Sequence, residues 1–206
     1  VARALSNLAS VYLEQTDYPA ARAAESRALP IREGALWPES IDVALSLNNL
    51  ALIAVAVDDF AAAEQALTRA LAIQRARLGP EHTAVADTLV NLATLYFTVG
   101  RRALAAQRMR EAAAIYEHNG HATLAIIRSN LGHMLYSIDR IDEAEAEATR
   151  ALAAIVAQHG ADSPLAAYPQ IVLARVAITR GRAEEGLALA ERALALRASE
   201  ASPGEV

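Results

Sequence analysis

Residues 49–51 read Asn-Leu-Ala, and this short signature recurs along the whole chain. It returns at intervals of 42, 42, 39 and 42 residues, as Asn7-Leu8-Ala9, Asn49-Leu50-Ala51, Asn91-Leu92-Ala93, Asn130-Leu131-Gly132 and Val172-Leu173-Ala174. A second signature, Arg-Ala-Leu from residues 27, 69, 150 and 192 and Glu-Ala-Ala from residue 111, keeps the same intervals. A fixed period of this size indicates a repeat protein. Such proteins present extended binding surfaces, so binding is the expected function and catalysis the exception.

Each repeat is predicted to form two helices joined by a tight turn. In the second repeat, Ser40 precedes an apolar pattern of near-helical spacing, so it is expected to cap a first helix. Asp58-Asp59 interrupts that pattern and can cap a second helix, because carboxylates accept hydrogen bonds from free backbone N–H groups. Gly79-Pro80 is expected to end the second helix. The turn position inside the hairpin is held in successive repeats by Asp58, Gly100, Asp139 and Gly181.

Small residues recur at two positions of the predicted second helix. Because small side chains let two helices approach closely, a large residue at either position should overpack the hairpin and cost about 1–3 kcal/mol. The two positions hold Ala21, Ala63, Ala105, Ala144 and Gly186, and Ala28, Ala70, Ala112, Ala151 and Ala193.

Two prolines fall inside predicted helices. Pro30 lies within the second helix of the first repeat, where it should remove a backbone hydrogen bond and kink the helix. Pro169 follows Pro164 by five residues. If Ser163 caps and Pro164 begins the helix, Pro169 lies beyond the free N–H positions, and a local irregularity is expected there.

Composition excludes several classes of function. The 206-residue chain is 54% hydrophobic and carries a net charge of −5, so it lacks the basic surface of a protein that binds nucleic acid or anionic membranes. It contains no cysteine, which excludes disulfides and thiolate chemistry. No apolar run is long enough to span a membrane, and no signal peptide is recognisable. We therefore expect a cytoplasmic protein without cofactor or metal, not an enzyme, and a fragment of a longer chain because residues 1–4 already lie inside a repeat.

The sequence resembles the tetratricopeptide repeat (TPR) family in its Asn-Leu-Ala-x-x-Tyr run at 91–96 and its Asp-Phe-x-x-Ala turn at 59–63. The 42-residue period is similar to the kinesin light chain subtype and its bacterial relatives, as are Asn-Asn-Leu-Ala at 48–51, Ala-Leu-x-Ile at 70–73 and Leu-Gly-Pro-Glu-His at 78–82. The resemblance implies an all-α fold, a right-handed α-solenoid of about five TPR helix-turn-helix repeats. The expected units are about 1–39, 40–81, 82–120, 121–162 and 163–198, followed by a frayed tail at 199–206.

The same resemblance implies where a ligand binds. First helices of this family line a concave groove, in which the Asn of each Asn-Leu-Ala can hydrogen-bond an extended peptide through its amide. That position fails at Val172. The alternative is that each Asn only bridges adjacent helices, and that His133 and Tyr136 only pack or face solvent. Further residues on the same face are Phe97, Tyr136, Ser137 and Thr179. The candidate ligand-binding residues are Asn7, Asn48, Asn49, Asn91, Thr94, Asn130, His133 and Arg175.

These residues favour a scaffold that binds a protein or peptide segment in the groove. The family's carboxylate clamp pairs Asn with Lys and Arg; this chain has no Lys, so a clamp for chaperone tails is not expected. Arg128 and Arg175 could form a small basic spot that favours an acidic segment, because arginine pairs well with carboxylates. The alternative function is a structural, oligomerisation or regulatory module of a larger protein. In that case the apolar end of the array could self-associate, because terminal repeats normally need a polar outer face.

Overall fold

The computed structural model describes residues 1–35 and 38–201, and side chains only as far as residue 198. The described residues form ten α-helices and one short 3-10 helix, and they fall into two compact units, residues 1–101 and 102–206. The first unit contains α1 (Ala2–Glu14), α2 (Tyr18–Ala35), α3 (Ile41–Ala56), α4 (Phe60–Leu78) and α5 (Thr83–Thr98). The second contains α6 (Arg102–His118), α7 (Leu124–Tyr136), α8 (Ile141–His159), the 3-10 helix Pro164–Ala166, α9 (Ala167–Thr179) and α10 (Ala183–Ala201).

Within each unit, every helix packs on its neighbour in the chain. In the first unit α1 to α5 contact one another in order, and α1 also reaches α3; in the second unit α6 to α10 do the same, and α7 also reaches α9. The predicted all-α architecture of about five helix-turn-helix repeats is confirmed. Of the tail expected at 199–206, the first three residues continue α10, and residues 202–206 lie outside the described part of the chain. The repeat boundaries stay a prediction.

The predicted caps and turns are present. The Ser40 side chain accepts a hydrogen bond from the Val43 backbone N–H at 3.4 Å, and Asp59 accepts one from Ala62 at 3.2 Å. Gly79 ends α4 with a positive φ. Left-handed backbone also occurs at one equivalent turn position in each repeat, where φ lies between 58° and 79°. Glycine adopts this conformation without strain and aspartate tolerates it, which explains the residue types found there. The five residues are Thr16, Asp58, Gly100, Asp139 and Gly181.

The prolines behave differently from one another. Helix α2 continues through Pro30 to Ala35, so this proline does not end the helix. The expected irregularity near Pro169 is confirmed, because the 3-10 helix precedes α9. The expectation that Pro169 lies beyond the free N–H positions is wrong. Since α9 begins at Ala167, Pro169 is its third residue, where an N–H would lack an intrahelical partner.

The core is built around the repeated small residues. At both predicted positions every alanine is at most 1% exposed. A Cβ added to Gly186 would lie 2.6 Å from Cγ1 of Ile178 and 3.0 Å from the Ala174 carbonyl oxygen, so the last hairpin packs too closely for a side chain there. The close helix approach predicted from the sequence is therefore confirmed. Across the described helices, none is both long and apolar enough to cross a membrane.

Candidate functional site

The candidate ligand-binding residues lie on first helices in both units. In the first unit, Asn7 is on α1, Asn48 and Asn49 are on α3, and Asn91 and Thr94 are on α5. In the second unit, Asn130 and His133 are on α7 and Arg175 is on α9. In the second unit the side chains of His133 and Arg175 contact each other. In the first unit Asn48 and Asn49 instead contact other residues of that unit.

In the first unit, Asn48 and Asn49 bridge helices. The Asn49 amide donates to Oε2 of Glu25 on α2, at 3.5 Å. The Asn48 amide donates to the Ala44 carbonyl at 3.1 Å, and its Oδ1 accepts from the Thr88 hydroxyl on α5 at 3.2 Å. Both amides therefore have partners within the chain, which is the bridging role that the sequence left open for them.

The other three candidates of the first unit do not converge on one site. Asn7 is exposed on α1. Asn91 and Thr94 line a small cavity of about 80 Å³ between α3 and α5, and the Thr94 hydroxyl donates to the Val90 carbonyl of its own helix at 3.0 Å. This volume is well below the roughly 300–1,000 Å³ of typical small-molecule sites.

The first unit also contains a buried ionic cluster that is absent from the sequence predictions. Glu25 is fully buried and accepts hydrogen bonds from the Ser6 hydroxyl at 2.9 Å and from Arg32 at 3.3 Å. The Arg32 guanidinium also donates to the Ser46 hydroxyl. These contacts join α1, α2 and α3. The signal for them was a pair of charges seven residues apart, two helical turns, at repeat positions that hold Leu67 and Gln74 one period later.

In the second unit, α7 and α9 bring several candidates together. The Arg175 guanidinium lies over the Tyr136 ring, 4.2 Å from its centroid, and its NH1 lies 3.3 Å from Nδ1 of His133. The Tyr136 hydroxyl hydrogen-bonds the Thr179 hydroxyl at 2.8 Å. Stacking on an aromatic ring and a hydrogen bond to a ring nitrogen together fix the guanidinium in one orientation. We call the following residues the α7/α9 surface: Ile126, Asn130, His133, Tyr136, Tyr168, Arg175 and Thr179.

His133 is held in its neutral form at neutral pH. Burial, followed by the nearby charges of Arg175 and Arg102, lowers the pKa of the His133 imidazole below its ordinary value. A neutral imidazole can accept a hydrogen bond at Nδ1, and the Arg175 guanidinium is the donor at that nitrogen. His133 therefore orients Arg175 without neutralising its charge.

Arg175 differs from other arginines of its unit in its charge partners. Arg128 pairs with Glu117 at 2.6 Å, and Arg180 pairs with Glu145 at 2.7 Å. Among the carboxylates that the structure describes, none pairs with Arg175, whose contacts are Tyr136 and His133. A partly buried guanidinium that is oriented but not neutralised is suited to receive a carboxylate in bidentate geometry.

An apolar recess lies on the same pair of helices. Its volume is about 330 Å³. Ile126 on α7 and Tyr168 on α9 are 40% and 51% exposed at its rim, and they lie two helical turns before His133 and Arg175, respectively. Two turns correspond to about 10 Å. The lining residues are Ile126, Ser129, Asn130, Ile155, Leu165 and Tyr168.

The expectation that Arg128 and Arg175 together form a basic spot is wrong for Arg128. Besides its 2.6 Å contact with Glu117, the Arg128 guanidinium lies 3.6 Å from Glu147. Two carboxylates therefore neutralise Arg128, so that of these two arginines only Arg175 is left without a described carboxylate partner. Ile126 and Tyr168 were also absent from the candidate residues predicted from the sequence. They occupy one repeat position, which is apolar in these two repeats and at Leu45 but holds Arg3 and Asp87 in the others, so no constant apolar pattern indicated them.

Comparison with known proteins gives consistent similarities. Sequence profiles described as tetratricopeptide repeat match residues 1–42, 42–118 and 123–199. No curated protein sequence matches the chain.

Solved structures extend the similarity to the fold. A kinesin light chain structure from Podosopora anserina with nearly identical TPR-like repeats has 21% identity and a TM-score of 0.83, over 96% of this chain and 95% of that one. BtubC (BKLC) from P. vanneervenii has 24% identity and a TM-score of 0.83, over 98% and 82%. The Rap conjugation gene regulator of the plasmid pLS20, in complex with the Phr* peptide, has 16% identity and a TM-score of 0.65, over 95% and 53%. At these identities the likeness concerns the fold.

Proposed function

The chain belongs to the tetratricopeptide repeat family, and from this membership we propose that it is a protein-interaction module whose α7/α9 surface binds an acidic peptide segment of a partner. Proteins built from such repeats generally use their extended helical faces for binding.

The single observation that carries the proposal is the state of Arg175. Its guanidinium is partly buried, stacked on Tyr136 and hydrogen-bonded by His133, and none of the described carboxylates neutralises it. Arginine fixed in this way has already lost much of its rotamer freedom, so less entropy is lost when a ligand binds. An aspartate, a glutamate or a chain-terminal carboxylate supplies the missing charge.

The neighbouring recess favours a peptide over a small anion. The recess is mostly apolar, and Ile126 and Tyr168 expose apolar surface that a ligand side chain would cover. An extended peptide rises about 3.3 Å per residue, so three residues span the 10 Å between the recess and Arg175. A segment with a large apolar side chain and an acidic group three residues away fits both features. The Asn130 amide, at the lip of the recess, is available for the peptide backbone.

A fold neighbour supports the general mode of binding. The Rap regulator of pLS20 was solved with the Phr* peptide bound, so a protein of similar fold accepts a peptide ligand. That observation supports a peptide as ligand for this chain and carries nothing about its sequence.

The experiment that tests the proposal is selection of displayed random peptides on the immobilised protein, followed by affinity measurement with synthetic peptides. We expect the selected peptides to contain acidic residues and to bind an Arg175→Gln variant at least 10-fold more weakly, because a hydrogen-bonded charge pair contributes about 1.5–3 kcal/mol. The matched control is Arg150→Gln, which removes an exposed arginine of α8 that pairs with Glu147. Equal affinities for the native protein and Arg175→Gln, both with native helicity, would contradict the proposal.

A further inference from the structure

Two arginines near His133 have no carboxylate partner among the described residues. One is Arg175 on α9, and the other is Arg102, the exposed first residue of α6. The charges of both arginines lower the pKa of the His133 imidazole, so both act on the same part of the α7/α9 surface. Most other arginines of the second unit pair with carboxylates, among them Arg110 of α6 and Arg128 of α7.

The positive charge at this part of the surface is that of two guanidinium groups, because His133 is neutral at neutral pH. A single carboxylate bound at Arg175 balances one of these charges and leaves that of Arg102 unbalanced. A phosphoryl group carries about −1.5 to −2 charges at pH 7 and presents three acceptor oxygens. The charge of a phosphoryl group therefore matches the two arginines better than that of a carboxylate.

The hydroxyl groups beside Arg175 supply a neutral hydrogen-bond donor. The Tyr136 and Thr179 hydroxyls hydrogen-bond each other at 2.8 Å, which uses the proton of only one of them. The proton of the other hydroxyl has no acceptor among the described residues. Since the Arg175 guanidinium lies over the Tyr136 ring, an anion bound at Arg175 is next to this donor. A carboxylate held in bidentate geometry has both oxygens on the guanidinium, whereas a phosphoryl group keeps a third oxygen for the hydroxyl.

We propose that the acidic group received by the α7/α9 surface is a phosphorylated serine or threonine of the partner peptide, which Arg175 holds in bidentate geometry and Arg102 attracts from α6. This proposal rests on the proposed function, because it specifies the acidic group of the same peptide. The recess favours a phosphorylated side chain over free phosphate, because flanking residues of a peptide cover Ile126 and Tyr168. Since Arg102 is exposed, it contributes a long-range attraction that salt screens.

Binding of three synthetic peptide libraries to the native chain tests this proposal. The libraries share random flanking residues and differ at one fixed position, which is serine, glutamate or phosphoserine. We expect the tightest sequence of the phosphoserine library to bind at least about 10-fold more tightly than the same sequence with glutamate, because one more hydrogen bond to a charged group is worth roughly this factor. The serine form should bind more weakly than both. Inorganic phosphate alone should compete poorly, because it leaves the recess uncovered.

Variants identify the arginines that recognise the phosphoryl group. Arg175→Gln should remove the preference for phosphoserine over glutamate, and Arg102→Gln should reduce it by about 2- to 5-fold. Arg110→Gln is the matched control for Arg102→Gln and should keep the native preference, because Arg110 is an exposed residue of the same helix that already pairs with Glu143 at 2.8 Å. Circular dichroism checks the fold of each variant. Arg175→Lys is a second variant of the site, which keeps the charge without the bidentate geometry and should keep only part of the preference.

The outcomes separate this proposal from the proposed function. Equal affinity for the glutamate and phosphoserine peptides would overturn this proposal and leave the proposed function intact, whereas no binding from any library would overturn both. A preference for phosphoserine that persists in Arg175→Gln, or that is unchanged in Arg102→Gln, would place the phosphoryl group elsewhere and contradict the proposal. Competition by inorganic phosphate as strong as that by the phosphoserine peptide would identify free phosphate as the ligand and would also overturn it.

Discussion

Replacing Glu25 by leucine should strongly destabilise the first unit of the native chain. The same replacement should cost far less stability in a chain in which Arg32 is also replaced. The Glu25 side chain is completely buried and that of Arg32 is 8% exposed, with the two charges 3.3 Å apart. Removal of the carboxylate leaves the guanidinium buried with only the Ser46 hydroxyl as a polar partner among the described residues. An unpaired buried charge of this kind costs about 3–5 kcal/mol.

The repeat itself supplies the compensating change. One period after Glu25 and Arg32 the chain has Leu67 and Gln74, which are buried equally well, and Oε1 of Gln74 accepts a hydrogen bond from the Thr88 hydroxyl at 2.7 Å. Glu25→Leu with Arg32→Gln therefore installs a solution that the next repeat already uses. Replacing both members of a buried pair by residues that pack is often neutral. We expect the double variant to lie within about 1 kcal/mol of the native chain, although either single change costs about 3 kcal/mol or more.

Urea unfolding followed by circular dichroism, on the native chain, the two single variants and the double variant, measures these differences. Glu185→Ala is the control, because Glu185 forms an exposed ion pair with Arg182 that should contribute less than about 1 kcal/mol. The reasoning is refuted if Glu25→Leu costs no more than the control. It is equally refuted if the double variant loses as much stability as the two single variants added together.

Three further predictions concern stability. Asp139→Gly should raise the thermal midpoint by relieving up to about 1 kcal/mol of strain at a φ of 59°, since Gly181 holds the equivalent turn position; an unchanged or lower midpoint would count against this. Ala63→Leu should cost about 1–3 kcal/mol of stability by overpacking, whereas Ala61→Leu, at an exposed position of the same helix, should not. Equal losses of stability in urea unfolding of the two variants would contradict the packing argument. Because the pKa of His133 is lowered in the folded chain, the unfolded chain protonates this imidazole more readily, so the stability falls as the pH drops through about 6.5. His133→Gln should make that fall in stability smaller. Urea unfolding from pH 8 to pH 5 that shows the same fall in the native chain and in the variant would refute this prediction.

Much of the fold follows from the period alone. A signature repeated five times places every turn, and the structure has left-handed backbone at the same position of each repeat, including Gly100 and Gly181. The small residues of the second helices were also predictable, because their register is constant and their burial is nearly complete. The 3-10 helix before α9 was not, since Pro164 and Pro169 together allow more than one start for that helix.

The candidate site was predictable only in part. His133 and Arg175 lie 42 residues apart, one full period, so the repeat predicted that they share a face, and their side chains meet. The Asn49 amide donates its hydrogen bond to Glu25, a charged residue at a repeat position that is otherwise apolar. No periodic pattern in the sequence indicates such a contact. The charge of Arg128 is likewise cancelled by Glu117 and Glu147, whose side-chain directions the pattern does not specify.

The central claim is that the α7/α9 surface receives the ligand, and site-specific photo-crosslinking tests it most directly. A photoreactive phenylalanine analogue would replace Ile126 at the rim of the recess or, as a control, Val156 on α8, because the two native side chains are 40% and 38% exposed. With a peptide selected on the native protein, the account predicts crosslinking from position 126 and little from position 156, with the crosslink reduced by Arg175→Gln. Crosslinking from position 156, or from position 126 regardless of Arg175, would contradict it.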